Sequence, residues 1–224
     1  MSEEYQEGKI LLINKPLEWT SFDVVKKLRN VLRVKKIGHA GTLDPLATGL
    51  LVIGTGKFTK KLNELQGLDK CYEGIIEIGK TTPSYDLETP FDSNSDYNHL
   101  LESDFENARQ KLSGPIEQIP PAHSAVKVGG ERAYKRARQN KEVKLEPRSV
   151  TINEFEIDTH NLPEIHFRIC CTKGTYIRSM ARDFGELLGV GAYLKKLVRT
   201  QVGTYSVNDA YDLDAFIKMN DESN

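Results

Sequence analysis

The chain has 224 residues, 38% of them hydrophobic and 28% charged, with a formal net charge of -1. This size and balance fit one large domain or two small ones with a real hydrophobic core. No apolar run approaches the ~20 residues of a membrane helix, and Met1-Ser2-Glu3-Glu4 is not a signal peptide. The cysteines are Cys71 and the neighbours Cys170 and Cys171. Adjacent strand residues point to opposite faces, so neither a disulfide framework nor a zinc-ligand spacing appears, and the scattered histidines add no paired ligand pattern. A reduced, cytoplasmic chain without metal is expected.

A net charge near zero argues against a nucleic-acid binder, but the charges are segregated. Ser84 to Asn107 holds seven acidic residues and no lysine or arginine, whereas His123 to Arg148 holds eight basic residues against three acidic ones. Two further basic stretches run from Lys9 to Lys36 and from Arg168 to Arg199. Segregation of this kind can build a positive face for phosphate contact. Solvated helix faces give similar runs.

In chain order, Lys9 to Asn14 reads as a buried strand stopped by Lys15-Pro16. Thr20 or Ser21 caps a predicted helix over Ser21 to Val34, with Asp23 in its first turn and Phe22, Val25, Leu28 and Leu32 as its apolar stripe. Gly38 to Gly54 (GHAGTLDPLATGLLVIG) crowds glycines, a histidine and a proline into its first half, which reads as a tight loop. Leu50 to Gly54 is a short apolar run of the kind a buried strand uses. Asp44 therefore lies on an irregular loop just before an element that enters the core. A carboxylate so placed suits catalysis, while Asp-Pro also commonly starts a turn; the residues alone leave both readings open. Gly54-Thr55-Gly56-Lys57 is not a phosphate loop, because Leu51 stands where a glycine is needed and Phe58 where Ser or Thr is needed.

Thr59 to Leu65 looks helical, Lys70 to Gly79 a strand, and Thr81 to Asn98 a long acidic loop. Ser103-Asp104-Phe105-Glu106 reads as a capping box opening a helix to about Leu112. Gly114 to Pro121 reads as a connector, followed by Ser124 to Val128, a turn at Gly129-Gly130 and a basic helix from Glu131 to Gln139. Arg148 to Asp158 and Glu164 to Thr172 alternate and should pair as strands; Gly174 to Leu188 is an amphipathic helix. Gln201 to Val207 is a final strand and Asn208 to Lys218 a terminal helix. Helices and strands mix without regular alternation, which predicts an α+β fold with a largely antiparallel, mixed sheet flanked by helices.

The seventeen-residue run around Asp44 resembles the catalytic motif of the TruB family of tRNA pseudouridine synthases. Other segments in the same order are similar to that family: Leu12-Ile13-Asn14-Lys15-Pro16, Lys70-Cys71-Tyr72-Glu73-Gly74, Thr82-Pro83-Ser84-Tyr85-Asp86, Pro120 to Arg138, Cys171 to Arg178, and Leu194 to Arg199. The Thr82 to Asp86 segment departs from the family's commoner wording at Pro83 and Tyr85. The resemblance covers about Lys9 to Tyr205. It implies a pseudouridine-synthase catalytic domain over residues 1–207, with an RNA-contacting insertion at about 120–147. Residues 208–224 would then form a short helix and tail, without the full PUA-like extension that family members often carry.

The resemblance further implies an isomerase, one that breaks the N1–C1′ bond of a uridine and rejoins the base through C5. The target is expected to be uridine 55 in the T-arm of tRNA. Asp44 would be the nucleophile or base, with Arg178 pairing with it and favouring the carboxylate. Tyr72 would stack on the uracil. Tyr176, Leu197 and His39 would contact the flipped nucleotide, and Asp86 the substrate side. Lys127, Arg132, Lys135 and Arg136 would contact phosphates, and Lys15-Pro16 would support the loop. Each has a plainer reading, as a cross-strand aromatic for Tyr72, core for Tyr176 and Leu197, and surface charge for the cations. No cofactor and no metal is expected, tRNA is the expected partner, and the chain is expected to be a monomer. The rivals are a non-catalytic tRNA-folding helper, a base-releasing hydrolase using Asp86 as second acid, and a guide-RNA-dependent synthase.

Overall fold

The computed structural model describes residues 2–124, 126–128, 131–133, 136 and 145–221. Its helices are α1 (Ser2–Glu7), α2 (Ser21–Leu32), α3 (Leu62–Gln66), α4 (Glu102–Lys111), α5 (Ile177–Leu188) and α6 (Leu213–Asp221). The sheet strands are β1 (Ile10–Lys15), β2 (Ile37–Ala40), β3 (Ala47–Thr55), β4 (Lys70–Ile78), β5 (Gly114–Gln118), β6 (Arg148–Asn161), β7 (Glu164–Cys171), β8 (Ala192–Val202), β9 (Tyr205–Ser206) and β10 (Tyr211–Asp212). Two compact units divide the chain, Met1–Glu73 with Leu197–Asn224, and Gly74–Lys196.

In the first unit the strand order is β10-β1-β3-β8, with β2 added to β3 and β9 to β8. Pairing is antiparallel for β1/β3 and β2/β3 but parallel for β1/β10 and β3/β8, so the sheet is mixed as expected. The apolar run of β3 reflects burial on both faces. Leu51 and Ile53 join Leu11, Ile13, Val24, Leu28 and Phe216 on one side. Leu50 and Val52 join Val202, Leu12 and Leu62 on the other. Thr20 caps α2, its hydroxyl accepting from the Asp23 amide while the Asp23 carboxylate accepts from the Thr20 amide.

Two expectations for this unit need correcting. Gly38-His39-Ala40 is strand, not loop, because Gly38 faces Gly54 across the ladder and both lie against Leu62, where a side chain would sit 3.0 Å and 2.9 Å from its methyls. These glycines mark close approach by α3. Phe22 is 64% exposed rather than part of the buried stripe; Val24 takes that place.

In the second unit β4 continues into the order β4-β7-β6-β5, with β6 antiparallel to both neighbours. The β6–β7 pair is the one expected. Phe155 of β6 meets Phe184 of α5 edge-on at 5.9 Å. Helix α4 starts earlier than the expected box, because Asp104 accepts from the Leu101 amide at 2.8 Å. Gly114 to Gln118 is an edge strand, a place that tolerates Pro115. Strand β8 begins at Ala192, well before the expected Gln201. Its Lys195 is neutralised by Glu77 and Glu164, both at 2.6 Å, which makes a charged stretch compatible with a sheet. Glu131–Arg132 pairs as strand with Lys127–Val128, so the basic helix does not start there; most of the remainder of that predicted helix lies outside the described residues. The terminal helix begins at Leu213, after a 3-10 turn at Val207–Asp209.

Cys71 and Cys170 are each disulfide-bonded and Cys171 is a buried free thiol. This corrects the expectation of reduced cysteines. Opposite faces exclude only a bridge between the neighbours 170 and 171. Among the described residues no helix is long and apolar enough to cross a membrane.

Candidate active site

Asp44 lies on the loop between β2 and β3, half-buried, and its carbonyl accepts from the Ala47 amide at 3.1 Å. Its two neighbours are fixed from the same unit. The buried Ser21 hydroxyl accepts from the Leu43 amide at 2.9 Å and donates to the Leu43 carbonyl at 3.1 Å. The Pro45 carbonyl accepts from the Glu18 amide at 2.9 Å and from Lys15 Nζ at 3.3 Å. Lys15 is fully buried at the end of β1, and Nζ also donates to Pro16 and Trp19 carbonyls at 2.8 and 2.5 Å. Burial draws its ammonium down to about 8; the Asp44 carboxylate opposes that shift, Arg199 adds to it and Asp23 opposes it.

The next element fixes the loop's other end. Ala47, Thr48 and Gly49 run parallel to Leu197, Val198 and Arg199. Gly49 has φ +101°, and a Cβ there would sit 2.4 Å from the Arg199 carbonyl oxygen, so only glycine fits. Leu197, 8% exposed, is thereby held three residues along from Asp44.

Arg199 was missed by sequence reasoning as a site residue. It is 1% exposed, and its guanidinium donates to Leu50 at 2.8 Å, to Gly41 at 3.0 Å and to the Tyr72 phenol. Burial depresses its pKa, and Tyr72 offsets part of that. Burial, and then the same guanidinium, hold the imidazole of His39 on β2 below its ordinary value. Tyr72 and His39 thus share one cationic neighbour. No local signal in the sequence marks Arg199, since its partners Gly41, Leu50 and Tyr72 lie far along the chain.

In the second unit Arg178 occupies the first turn of α5, 4% exposed. It donates to the carbonyls of His123 at 2.9 Å and Ser84 at 3.4 Å, and its Nε lies 3.6 Å from Asp86 Oδ2. Asp86, 6% exposed, also accepts from the Glu88 amide at 2.9 Å, and its carbonyl accepts from Thr82 and Ser84 hydroxyls. Tyr176 is the N-cap of α5. The buried Gln118 side chain clamps it, accepting from its amide at 2.8 Å and donating to its carbonyl at 3.1 Å. So this unit gathers Arg178, Asp86 and Tyr176, while the first gathers Asp44, Lys15, His39, Tyr72 and Leu197. An ion-paired Asp86 is a poor second acid for a hydrolase.

Of the phosphate candidates, Lys127 and Arg132 face each other across a two-residue hairpin backbone, Arg136 is half-buried, and Lys135 lies outside the described residues. Among the described residues no group of three or more His, Cys, Asp or Glu could hold a metal ion.

A loop carboxylate with both neighbours pinned, near a buried lysine and in the same unit as a tyrosine–arginine pair, is an arrangement that suits side-chain acid–base chemistry. Residues 29–177 match the model of the "TruB family pseudouridylate synthase (N terminal domain)" and residues 178–223 that of the "tRNA pseudouridylate synthase B C-terminal domain". The chain belongs to the TruB family of pseudouridylate synthases, enzymes that isomerise uridine to pseudouridine. It is 52% identical over 221 residues to the tRNA pseudouridine synthase B of Flavobacterium johnsoniae, covering 96% of each chain. It is 47% identical over 224 residues to that of Phocaeicola vulgatus, covering 97% of this chain and 95% of the relative. Among solved structures it is similar to a chain of a Cbf5-Nop10-Gar1 complex, with a TM-score of 0.76 and 25% identity over 97% of its length, spanning 56% of that longer chain.

Proposed function

We propose that the chain isomerises uridine 55 in the T-arm of tRNA, with Asp44 as the carboxylate that opens the glycosidic bond. The observation that carries this reading is the fixation of Asp44, with Leu43 and Pro45 held through Ser21, Glu18 and Lys15 while Asp44 itself is half-buried. The names of the similar relatives support tRNA as the substrate.

The uridine is first flipped out of its RNA stack, at a cost of a few kcal/mol. The N1–C1′ bond then breaks, the uracil turns, and C5 joins C1′. The sugar–phosphate chain stays whole and no redox equivalent or energy source is used. Tyr72 serves as stacking partner and proton carrier at C5, Arg178 as the cation that favours a carboxylate, and His39, Tyr176, Leu197 and Asp86 as nucleotide contacts. Lys127, Arg132, Lys135 and Arg136 contact phosphates.

Base-resolved pseudouridine mapping of unmodified tRNA tests the reading. With the wild-type chain a single new pseudouridine at position 55 is expected, and none with Asp44→Asn, which still folds and binds tRNA. Full product from Asp44→Asn would overturn the role of Asp44. Product at another position would overturn the assignment of uridine 55.

A further inference from the structure

Helix α2 turns toward solvent a stripe that its packing does not require. Ser21, Val24, Val25, Leu28 and Leu32 are buried. Phe22, Lys26, Arg29 and Arg33 are exposed; the spacing of four and three places Phe22, Lys26 and Arg29 in one helical row about 10 Å long, and Arg33 follows as the left-handed C-cap of the helix. Phe22 is 64% exposed at the head of that row. Among the described residues, none of Lys26, Lys27, Arg29, Arg33, Lys35 and Lys36 has a carboxylate oxygen within 4.0 Å; Asp23 of the same helix acts on Lys26 only at longer range. Elsewhere Arg109, Arg168, Arg182 and Lys195 do have such partners.

A bare aromatic ring leading a row of unpaired cations matches the chemistry of a single-stranded polyanion, with base on ring and phosphate on cation. The row is also joined to the site. Ser21, next to Phe22, holds both backbone groups of Leu43, the neighbour of Asp44.

We propose that this face of α2 is an RNA-contacting surface, with Phe22 stacking on an unpaired base and Lys26, Arg29 and Arg33 following the phosphates of the same RNA that presents its uridine to Asp44. The proposal rests on tRNA being the substrate. It adds a contact surface separate from the 120–147 insertion.

The test measures tRNA affinity against salt for the full chain and two variants. Lys26→Gln/Arg29→Gln/Arg33→Gln is expected to lower the slope of log Kd against log salt by about two, since each phosphate contact contributes ~0.7–0.9. Phe22→Ala is expected to raise Kd about 5- to 150-fold with the slope unchanged. Both variants should keep the wild-type single-turnover rate at saturating tRNA, since all four side chains are exposed and none makes the hydrogen bonds that hold Leu43 and Pro45. A triple variant with the wild-type slope, or a Phe22→Ala with the wild-type Kd, would overturn the surface. The controls separate the two levels: a wild-type chain that makes no pseudouridine in tRNA refutes the substrate, whereas an active wild type with an unaltered triple variant refutes only the role of α2.

Discussion

Lys15 offers the sharpest test of how the Asp44 loop is held. Its ammonium is fully buried and titrates at about 8 instead of 10.5. That depression is a burial cost of about 3 kcal/mol carried by the folded state. For a cation whose folded pKa is lowered, the cost is fully present below the folded value, where lysine is charged in both states. It is relieved as pH rises through about 8 toward 10.5, because the folded state gives up its proton first. Lys15→Met removes the cost but strips a donor from the Pro16, Trp19 and Pro45 carbonyls. Each unsatisfied carbonyl costs about 1–3 kcal/mol, so the terms oppose and stability should fall by at most a few kcal/mol.

Activity should respond more clearly. The Pro45 bond is charge-assisted, about 1.5–3 kcal/mol, and its loss together with the positive charge near Asp44 predicts a single-turnover rate ~10- to 150-fold slower at saturating tRNA. The same charge predicts a pH signature. Wild-type rate should decline above about pH 8 as Lys15 deprotonates, under the opposing influence of Asp44, Asp23 and Arg199, and that decline should be absent from Lys15→Met. The assay is single-turnover pseudouridine formation from about pH 6 to about pH 10, with urea denaturation alongside. A Lys15→Met chain with wild-type rate, or with the same alkaline decline, would refute the reasoning.

Three further outcomes are expected. Gly49→Ala should destabilise by more than about 3 kcal/mol because its Cβ meets Arg199 backbone, whereas Gly174→Ala, with φ +87° and open space, should cost only about 1 kcal/mol; equal urea midpoints for the two would contradict this. Gln118→Ala should speed hydrogen exchange at the Tyr176 amide, which would otherwise stay protected by the Gln118 carbonyl; unchanged exchange would mean the clamp is not what orders the start of α5. Arg199→Gln and Tyr72→Phe should be non-additive in single-turnover rate, with a coupling of about 0.5–3 kcal/mol, since one hydrogen bond joins them. Additive losses would remove Arg199 from any action through the phenol.

The elements that could be read from the sequence were those whose local pattern and tertiary role agree. The twelve residues of α2 carry their own cap, and the β6–β7 pair alternates along its length. Misreadings fell where a distant partner changes what a residue is for. Gly38 reads locally as a turn residue but serves the close approach of Leu62. The final strand was expected only from Gln201, whereas β8 takes in Lys195 with Glu77 and Glu164 beside it. Phe22 fits a helical stripe by period, and only the packing shows that Val24 is the buried residue. Among the candidate residues of the two units, motif resemblance marked Asp44, Tyr72 and Arg178, yet nothing local distinguishes Arg199 or Gln118, whose partners lie 58 to 158 residues away.

The buried cations also explain how a chain of net charge -1 can suit a polyanionic substrate. Lys15 and Arg199 direct their donors to main-chain carbonyls, Pro16, Trp19 and Pro45 for one, Gly41 and Leu50 for the other. A carbonyl satisfies a donor without cancelling its charge, whereas a carboxylate does both. The positive field of these two residues therefore remains inside the low-dielectric part of the first unit, where it acts on Asp44, His39 and Tyr72. Such a field lowers the His39 pKa, as burial does. The net charge of -1 counts both cations but not where they sit, so the charge balance alone does not report this field.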